Sequence, residues 1–403
     1  MSPVTPYQFS FFRIVFSSYL FVHFSALIPW GSEMFSNAGL LPDGKMNPTS
    51  SIFPNMLYAL DTPFFVQIFL VGLCLLSLLL LAGYKRRLVA LLLWYGWACL
   101  FNRNIFTGNP GLPFIGWILL ALTLIPPGEP LSRSEEDPQW EFPKEIYWGA
   151  WLLLALGYTA SGLHKLGSPS WVDGTAIQNV LENPLARDTF LRGLLLDHDG
   201  INRFLTWSSL ALEILFLPLA LISKTRPFAW LGIVGMHLGI ITTIDFADLT
   251  SGVLIVHLFT FDSRWIKQPK REPSTSPILF FDGVCGLCNG FIDFLLKEDR
   301  SKIYKVSPLQ GDVAKTTIDR SHIDNLDSLV LVQDGLEMTK STAVLRIFRD
   351  LGSIWWVLSI FRIFPAPMRD AAYDFIASHR YRLFGKKDSC RLPTPEERSQ
   401  FLD

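Results

Sequence analysis

The sequence predicts a polytopic α-helical membrane domain of about eight spans over residues 1–266, a linker over 267–276, and a small α/β domain over 277–403. Three observations predict it. Long apolar runs recur through the first two thirds of the 403 residues, half of which are hydrophobic and only 18% charged. Cationic residues gather in short clusters between those runs, and ordinary globular chemistry returns only in the last third. Finally, the stretch ILFFDGVCGLC, Ile278 to Cys288, reads as a strand, a tight turn and a helix N-terminus carrying Cys-x-x-Cys. A net charge of -1 argues against nucleic acid as a partner. Five cysteines, with Cys74 and Cys99 inside apolar runs, do not make a secreted disulfide framework.

Tyr7 to Trp30 is long enough to span, because about 20 apolar residues cross the hydrocarbon core. It lacks a basic leader and a small-residue cleavage site, so it reads as a retained helix. Further spans are expected at 64–83, 88–102, 112–126, 146–166, 201–222, 228–244 and 249–262. Lys85, Arg86 and Arg87 fall on one side of that arrangement, with Arg133 and Lys144, Lys224 and Arg226, and Arg264, Lys267, Lys270 and Arg271. The positive-inside rule makes that side cytoplasmic, with both termini and the Cys-x-x-Cys domain. Loops 31–63, 103–111 and 167–200 then face outward, and an inner bacterial membrane is the expected location. A reducing cytoplasm favours a working dithiol over a structural disulfide.

Ionisable residues inside spans are costly and default to functional candidates. In GYTASGLHKLGSPSWVDGTAIQNVL, Gly157 to Leu181, a helix delivers His164 and Lys165 to the outer membrane edge. An amine near hydrocarbon is costly as ammonium, which would suit Lys165 to act as a neutral base. A lysine at a helix end also commonly snorkels to the interface, and Trp171 is equally an interfacial anchor. Glu213 lies mid-span, His237 on the next span before Asp245 and Asp248, and Arg13 and His23 on the first. One reading gathers His23, Lys165, Glu213 and His237 around a quinone head group; the other makes them interhelical hydrogen bonds. For His257, interfacial packing is expected.

In the tail, a thiol on the first turn of a helix faces unsatisfied N–H groups and the positive end of the dipole, which favour thiolate. Cys285 is therefore the expected attacking thiolate and Cys288 the resolving thiol, together a redox-active cysteine pair. Competing readings are a metal site drawing on Cys390, His379 and His322, a nucleophilic Asp282 at a strand end, and two inert buried cysteines. IYKVSPL and SLVLVQDG read as strands, LEMTKST as a hairpin return, and AVLRIFRDLG as a helix. WWVLSIFRIFP suits either a membrane surface or the core. On the helix MRDAAYDFIASHRYRLF, His379 and Arg380 either support a thiolate or, with Arg382, Lys386 and Lys387, form a solvated basic face.

The tail resembles the DCC family of thiol–disulfide oxidoreductase-like proteins. Its string Asp-Gly-x-Cys-x-x-Cys is matched by Asp282, Gly283, Cys285 and Cys288, and continues through TKSTAVLRI, MRDAAYDFIASHRYRLFGKKDSC and LPTPEERSQFLD. The resemblance implies a thioredoxin-like fold and redox activity on a thiol or disulfide protein partner. No proline stands just before SLVLVQDG, where thioredoxins carry one. The first part resembles the membrane portion shared by vitamin K-dependent gamma-carboxylases and the horizontally transferred transmembrane (HTTM) proteins. The matching residues are Gly162, Lys165, Leu166, Trp171 and Gly174, with the closing run HLFTFDSRWI. That resemblance implies a membrane quinone of the vitamin K kind, with Lys165 as the base toward it. The leading expectation is a membrane-bound redox protein whose dithiol is coupled to that quinone site. A noncatalytic membrane scaffold or a peptide export or maturation factor is the alternative.

Overall fold

The computed structural model describes all residues except 1, 49, 51, 110, 246, 271–275, 326–327, 388–392, 396 and 403. Two compact units result, Met1–Phe261 and Asp262–Asp403. Cys390 and half of the expected linker, residues 271–275, lie outside the described residues, as does the side chain of Asp248.

The first unit is built of helices. Pro6–Leu27 starts where Thr5 accepts a hydrogen bond from the Gln8 N–H, with proline in its first turn. Pro63–Leu81 starts in the same way at Thr62, whose hydroxyl accepts from the Phe65 N–H. Together with Lys144–Lys165, the segments Pro6–Phe35 and Pro63–Leu81 are the three long and apolar enough to cross a membrane among the described residues. The expected count of about eight is therefore not supported, for reasons that hydropathy alone hides. Leu112–Leu124 has 13 residues and Ala247–Thr260 has 14, which at 1.5 Å per residue reach about 20 Å against a core of roughly 30 Å. The run expected at 201–222 breaks at Leu215 into Asp199–Ile214 and Phe216–Leu221. Arg86–Arg103 carries arginine at both ends and Arg87 as well, and Arg226–Thr243 is not among the three.

Some of the cations counted for orientation also serve packing. Buried Arg86 donates from Nε to Glu129 at 2.8 Å and from its terminal nitrogens to the carbonyls of Leu122 and Pro126. Arg13 approaches the same carboxylate at 3.5 Å and donates to the Leu80 carbonyl. A buried carboxylate with two guanidiniums and several carbonyls around it ties helix ends together. The outward loop expected at 167–200 is itself folded into the short helices Pro169–Val172, Ala176–Leu181 and Phe190–Leu196.

The second unit is a mixed four-stranded sheet with helices. Strands β1 (Ile278–Phe281), β2 (Lys305–Pro308), β3 (Val330–Gln333) and β4 (Leu336–Thr339) lie in the order β2-β1-β3-β4. Parallel β1 and β2 are joined by the helix Gly286–Glu298, as a parallel pair requires a crossover. Antiparallel β3 and β4 are joined by Asp334 and Gly335, both at positive φ, the requirement of a two-residue turn whose twist matches the strands. Phe280, Leu309, Ala314, Ile318 and Val330 form a core against the sheet. The helix Lys340–Leu351 follows β4, then the 3-10 segment Ser353–Ile363 and the long helix Ala366–Phe384. In WWVLSIFRIFP, Trp355 takes the core place, edge-on to Phe294 at 4.8 Å, while Trp356, Ile360 and Ile363 are exposed.

Candidate functional site

Three hydrogen bonds fix the turn after β1. The Cys285 N–H donates to the Asp282 carbonyl at 3.2 Å, and the Asn289 side-chain amide donates to the carbonyls of Gly283 and Cys285, both at 2.8 Å. Cys285 is then the N-cap of Gly286–Glu298, and its sulfur accepts from the Cys288 N–H at 3.3 Å. A sulfur thus occupies the place where an oxygen usually satisfies the first free N–H groups of a helix.

The electrostatics follow. The Cys285 thiol is pushed down from 9 to about 6, chiefly by the hydrogen bond from the Cys288 thiol, with burial opposing. The N–H groups of Cys288 and Leu287 and the Arg380 guanidinium add to the lowering. Cys288 is pushed up by that same hydrogen bond, by burial and by the neighbouring negative charge of Cys285 and Asp282. The pair therefore holds one proton on Cys288 and a thiolate on Cys285 at neutral pH. Both thiols are free.

Accessibility runs the other way. Cys285 is fully buried and Cys288 half-buried. Residues following the long helix cover Cys285: the Gly286 N–H donates to the Gly385 carbonyl at 3.2 Å and the Lys387 N–H to the Val284 carbonyl at 2.8 Å. Glycine is required at 286, since a Cβ there would lie 2.1 Å from the Phe384 carbonyl oxygen. Cys288 instead lines an apolar cavity of about 190 Å³ with Leu287, Phe291, Leu329, Tyr373, Ile376 and Arg380.

Asp282 is buried and engaged on both oxygens. Oδ1 accepts from the Val284 N–H at 3.2 Å and the Gln310 amide at 3.0 Å. Oδ2 accepts from the Tyr381 hydroxyl and lies 3.7 Å from Arg380. It organises the turn and, with Cys288, lines the apolar cavity. Arg380 is therefore drawn toward Asp282 and the thiols instead of standing on a solvated face, while His379 bonds back to the Phe375 carbonyl of its own helix at 2.8 Å. Gln310 and Tyr381 escaped the sequence reading, which had no local signal for either. Among the described residues no three His, Cys, Asp or Glu side chains converge as metal ligands.

In the first unit, Lys165 Nζ donates to both oxygens of Glu213 at 2.6 Å and lies 4.4 Å from the centre of the Trp171 ring. Gly162 permits this approach, because a Cβ there would stand 2.7 Å from the Ile214 nitrogen. About two turns before Lys165, the Tyr158 hydroxyl meets Nε2 of His237 at 2.7 Å and of His257 at 2.8 Å. His257 is thus a buried hydrogen-bonding group. One hydroxyl proton serves only one imidazole, so the two rings are opposite tautomers at Nε2. His164 is exposed. His23 packs on Trp97 at 4.8 Å and lines a different cavity, with Leu27, Phe35 and Leu100. Of His23, Lys165, Glu213 and His237, the structure pairs Lys165 with Glu213 and sets His23 beside a different cavity.

Residues 279–386 match the DCC1-like thiol-disulfide oxidoreductase family. The chain is 41% identical over 133 residues to the uncharacterized protein YuxK of Bacillus subtilis (strain 168), covering 97% of that protein and 32% of this chain. It is 37% identical over 133 residues to a chloroplastic DCC family protein of Arabidopsis thaliana, covering 77% of that protein and again 32% of this chain. No solved structure matches. Through its C-terminal unit, the chain belongs to the DCC1-like thiol-disulfide oxidoreductase family.

Proposed function

We propose that the C-terminal unit exchanges a dithiol for a disulfide on a protein partner, within a thioredoxin-like layout of parallel β1 and β2, hairpin β3–β4 and a thiol-bearing helix. The observation that carries this reading is the Cys285 sulfur at the N-cap of Gly286–Glu298, charged near pH 6 and one turn from a second thiol. The Cys285 thiolate attacks a partner disulfide, forming one mixed S–S bond and expelling the partner's other sulfur as thiolate. Cys288 passes its proton to that leaving thiolate and attacks Cys285 Sγ, closing Cys285–Cys288 and releasing the second partner sulfur. Two electrons pass to the partner. Arg380 steadies the thiolate, and the apolar cavity beside Cys288 suits an aliphatic or aromatic side chain flanking the partner sulfur.

Redox titration of full-length protein, read by thiol labelling, tests it. A two-electron couple that disappears in Cys285→Ser and in Cys288→Ser is expected. A chain with no reversible couple at accessible potentials would refute the exchange.

For the first unit, we infer a membrane-embedded helical domain, supported by three apolar helices of spanning length and by the resemblance to HTTM proteins. The quinone is a poor fit: Lys165 and Glu213 are engaged with each other, and His23 stands apart. No redox step is therefore routed through it. The Lys165–Glu213–Trp171 contact favours the second reading for this unit, a scaffold in which those residues hold helices together.

A further inference from the structure

A cavity of about 260 Å³ in the second unit, separate from the one beside Cys288, is lined by residues between Ser263 and Lys270, by Arg300 and Ser301, and by Leu351 and Ser353. Its wall is built and held. Gly352 at positive φ admits the Ile266 carbonyl, where a Cβ would stand 2.8 Å away, and the Ser353 N–H donates to that carbonyl at 3.0 Å. Gln268 clamps the other side, donating to the Glu298 carbonyl at 2.5 Å and accepting from the Ser301 N–H at 2.9 Å.

The chemistry of the lining is cationic. Arg264 is offset by Asp262, at 2.5 Å. Lys267 and Lys270 are exposed cations of the lining, Arg300 donates to the Ser263 hydroxyl with Glu298 and Asp262 in its surroundings, and no carboxylate lines the cavity itself. Ser353 is 4% exposed, and its Oγ is a buried hydroxyl with no hydrogen-bond partner among the described residues. Such a group wants a partner supplied from outside the chain. Two exposed lysines, a shared guanidinium and an unused hydroxyl donor, with no acid in the lining, match the oxygens of an anion. The segment that begins at Ser353 exposes Trp356, Phe361 and Ile363, the aromatic and aliphatic partners of a lipid interface.

We propose that this cavity binds a phosphate group, Ser353 Oγ donating to one oxygen while Lys267, Lys270 and Arg300 neutralise the charge. A phospholipid headgroup and a free phosphate share that chemistry. Detergent-solubilised full-length protein is titrated calorimetrically with dihexanoyl phosphatidylglycerol, dihexanoyl phosphatidylcholine and inorganic phosphate. Saturable binding of phosphatidylglycerol over phosphatidylcholine is expected, weakening as salt rises. The exposed lysines report the site without endangering the fold: Lys267→Gln with Lys270→Gln weakens binding about 25-fold, fivefold for each cation near a charged headgroup. Ser353→Ala weakens it further at unchanged melting temperature. Binding of inorganic phosphate alone, with the same dependence on the lysines, supports the site and assigns it to free phosphate. If neither anion saturates, or if the lysine variant binds as the parent does, the site is refuted. Neither result bears on thiol exchange, which depends on Cys285 and Cys288.

Discussion

Replacing Cys288 by alanine tests where the reactivity of Cys285 comes from. The thiol hydrogen bond from Cys288 is the largest influence holding Cys285 near 6, ahead of the backbone N–H groups and Arg380. A hydrogen bond to a charged group contributes roughly 1.5–3 kcal/mol. Since about 1.4 kcal/mol corresponds to one pH unit, its loss should lift the half-point by about one to two, to roughly pH 7–8. It stops short of the ordinary 9 because the Cys288 and Leu287 N–H groups and Arg380 remain. The sign is fixed by the charge: the variant loses a group that favours thiolate, so its reactivity at pH 7 falls. Alkylation of full-length protein is followed from pH 5 to 10 by mass spectrometry of the peptide bearing Cys285, which separates it from Cys74 and Cys99. Equal half-points near 6 in parent and variant would refute the role assigned to the Cys288 thiol, and half-points near 9 in both would refute the thiolate itself.

Two other substitutions probe the surroundings. Gly286→Ala places a Cβ against the Phe384 carbonyl oxygen; overpacking of about 1–3 kcal/mol favours release of residues 385–387, so alkylation of Cys285 at fixed pH should accelerate at least fivefold, and an unchanged rate would show that this segment is not its cover. Glu213→Gln leaves the Lys165 ammonium without its carboxylate. With about a quarter of that side chain exposed, the loss is put at roughly 1–3 kcal/mol, below the range for fully buried pairs. Thermal unfolding in detergent reads it, and Lys165→Met combined with Glu213→Gln should recover part of the loss if the role is packing.

How much was legible depends on sequence separation. Asp282, Gly283, Cys285 and Cys288 are local, so a strand, a turn and a helix start could be read from a dozen residues, and the cap geometry follows from them. What completes the site is distant: Gln310 is 28 residues from Asp282 and Tyr381 is 99, and no periodicity announces either. The first unit failed differently. Hydropathy ran through Leu215, where the helix breaks, and gave no weight to the shortness of Leu112–Leu124. It also treated Arg86 as a loop charge, whereas Glu129 and carbonyls enclose it. Tyr158 drew no attention as a tyrosine in an apolar run, because its meaning lies in two histidines 79 and 99 residues onward.

Charge and accessibility are divided between the two thiols, and that division constrains the exchange. The sulfur that carries the negative charge is covered, and the sulfur that faces the cavity keeps its proton. Attack by Cys285 needs the partner disulfide to reach its Sγ, so residues 385–387 must first lift. Two backbone hydrogen bonds hold them over the turn, each contributing roughly 1 kcal/mol net. Breaking both costs about 2 kcal/mol and leaves the open form at roughly 3%. Such a population slows attack about thirtyfold without preventing it. A partner that itself pairs with the freed Gly286 N–H and Val284 carbonyl would recover those bonds on docking. Selectivity would then come from the partner's backbone around its disulfide as much as from the side chain entering the cavity at Cys288.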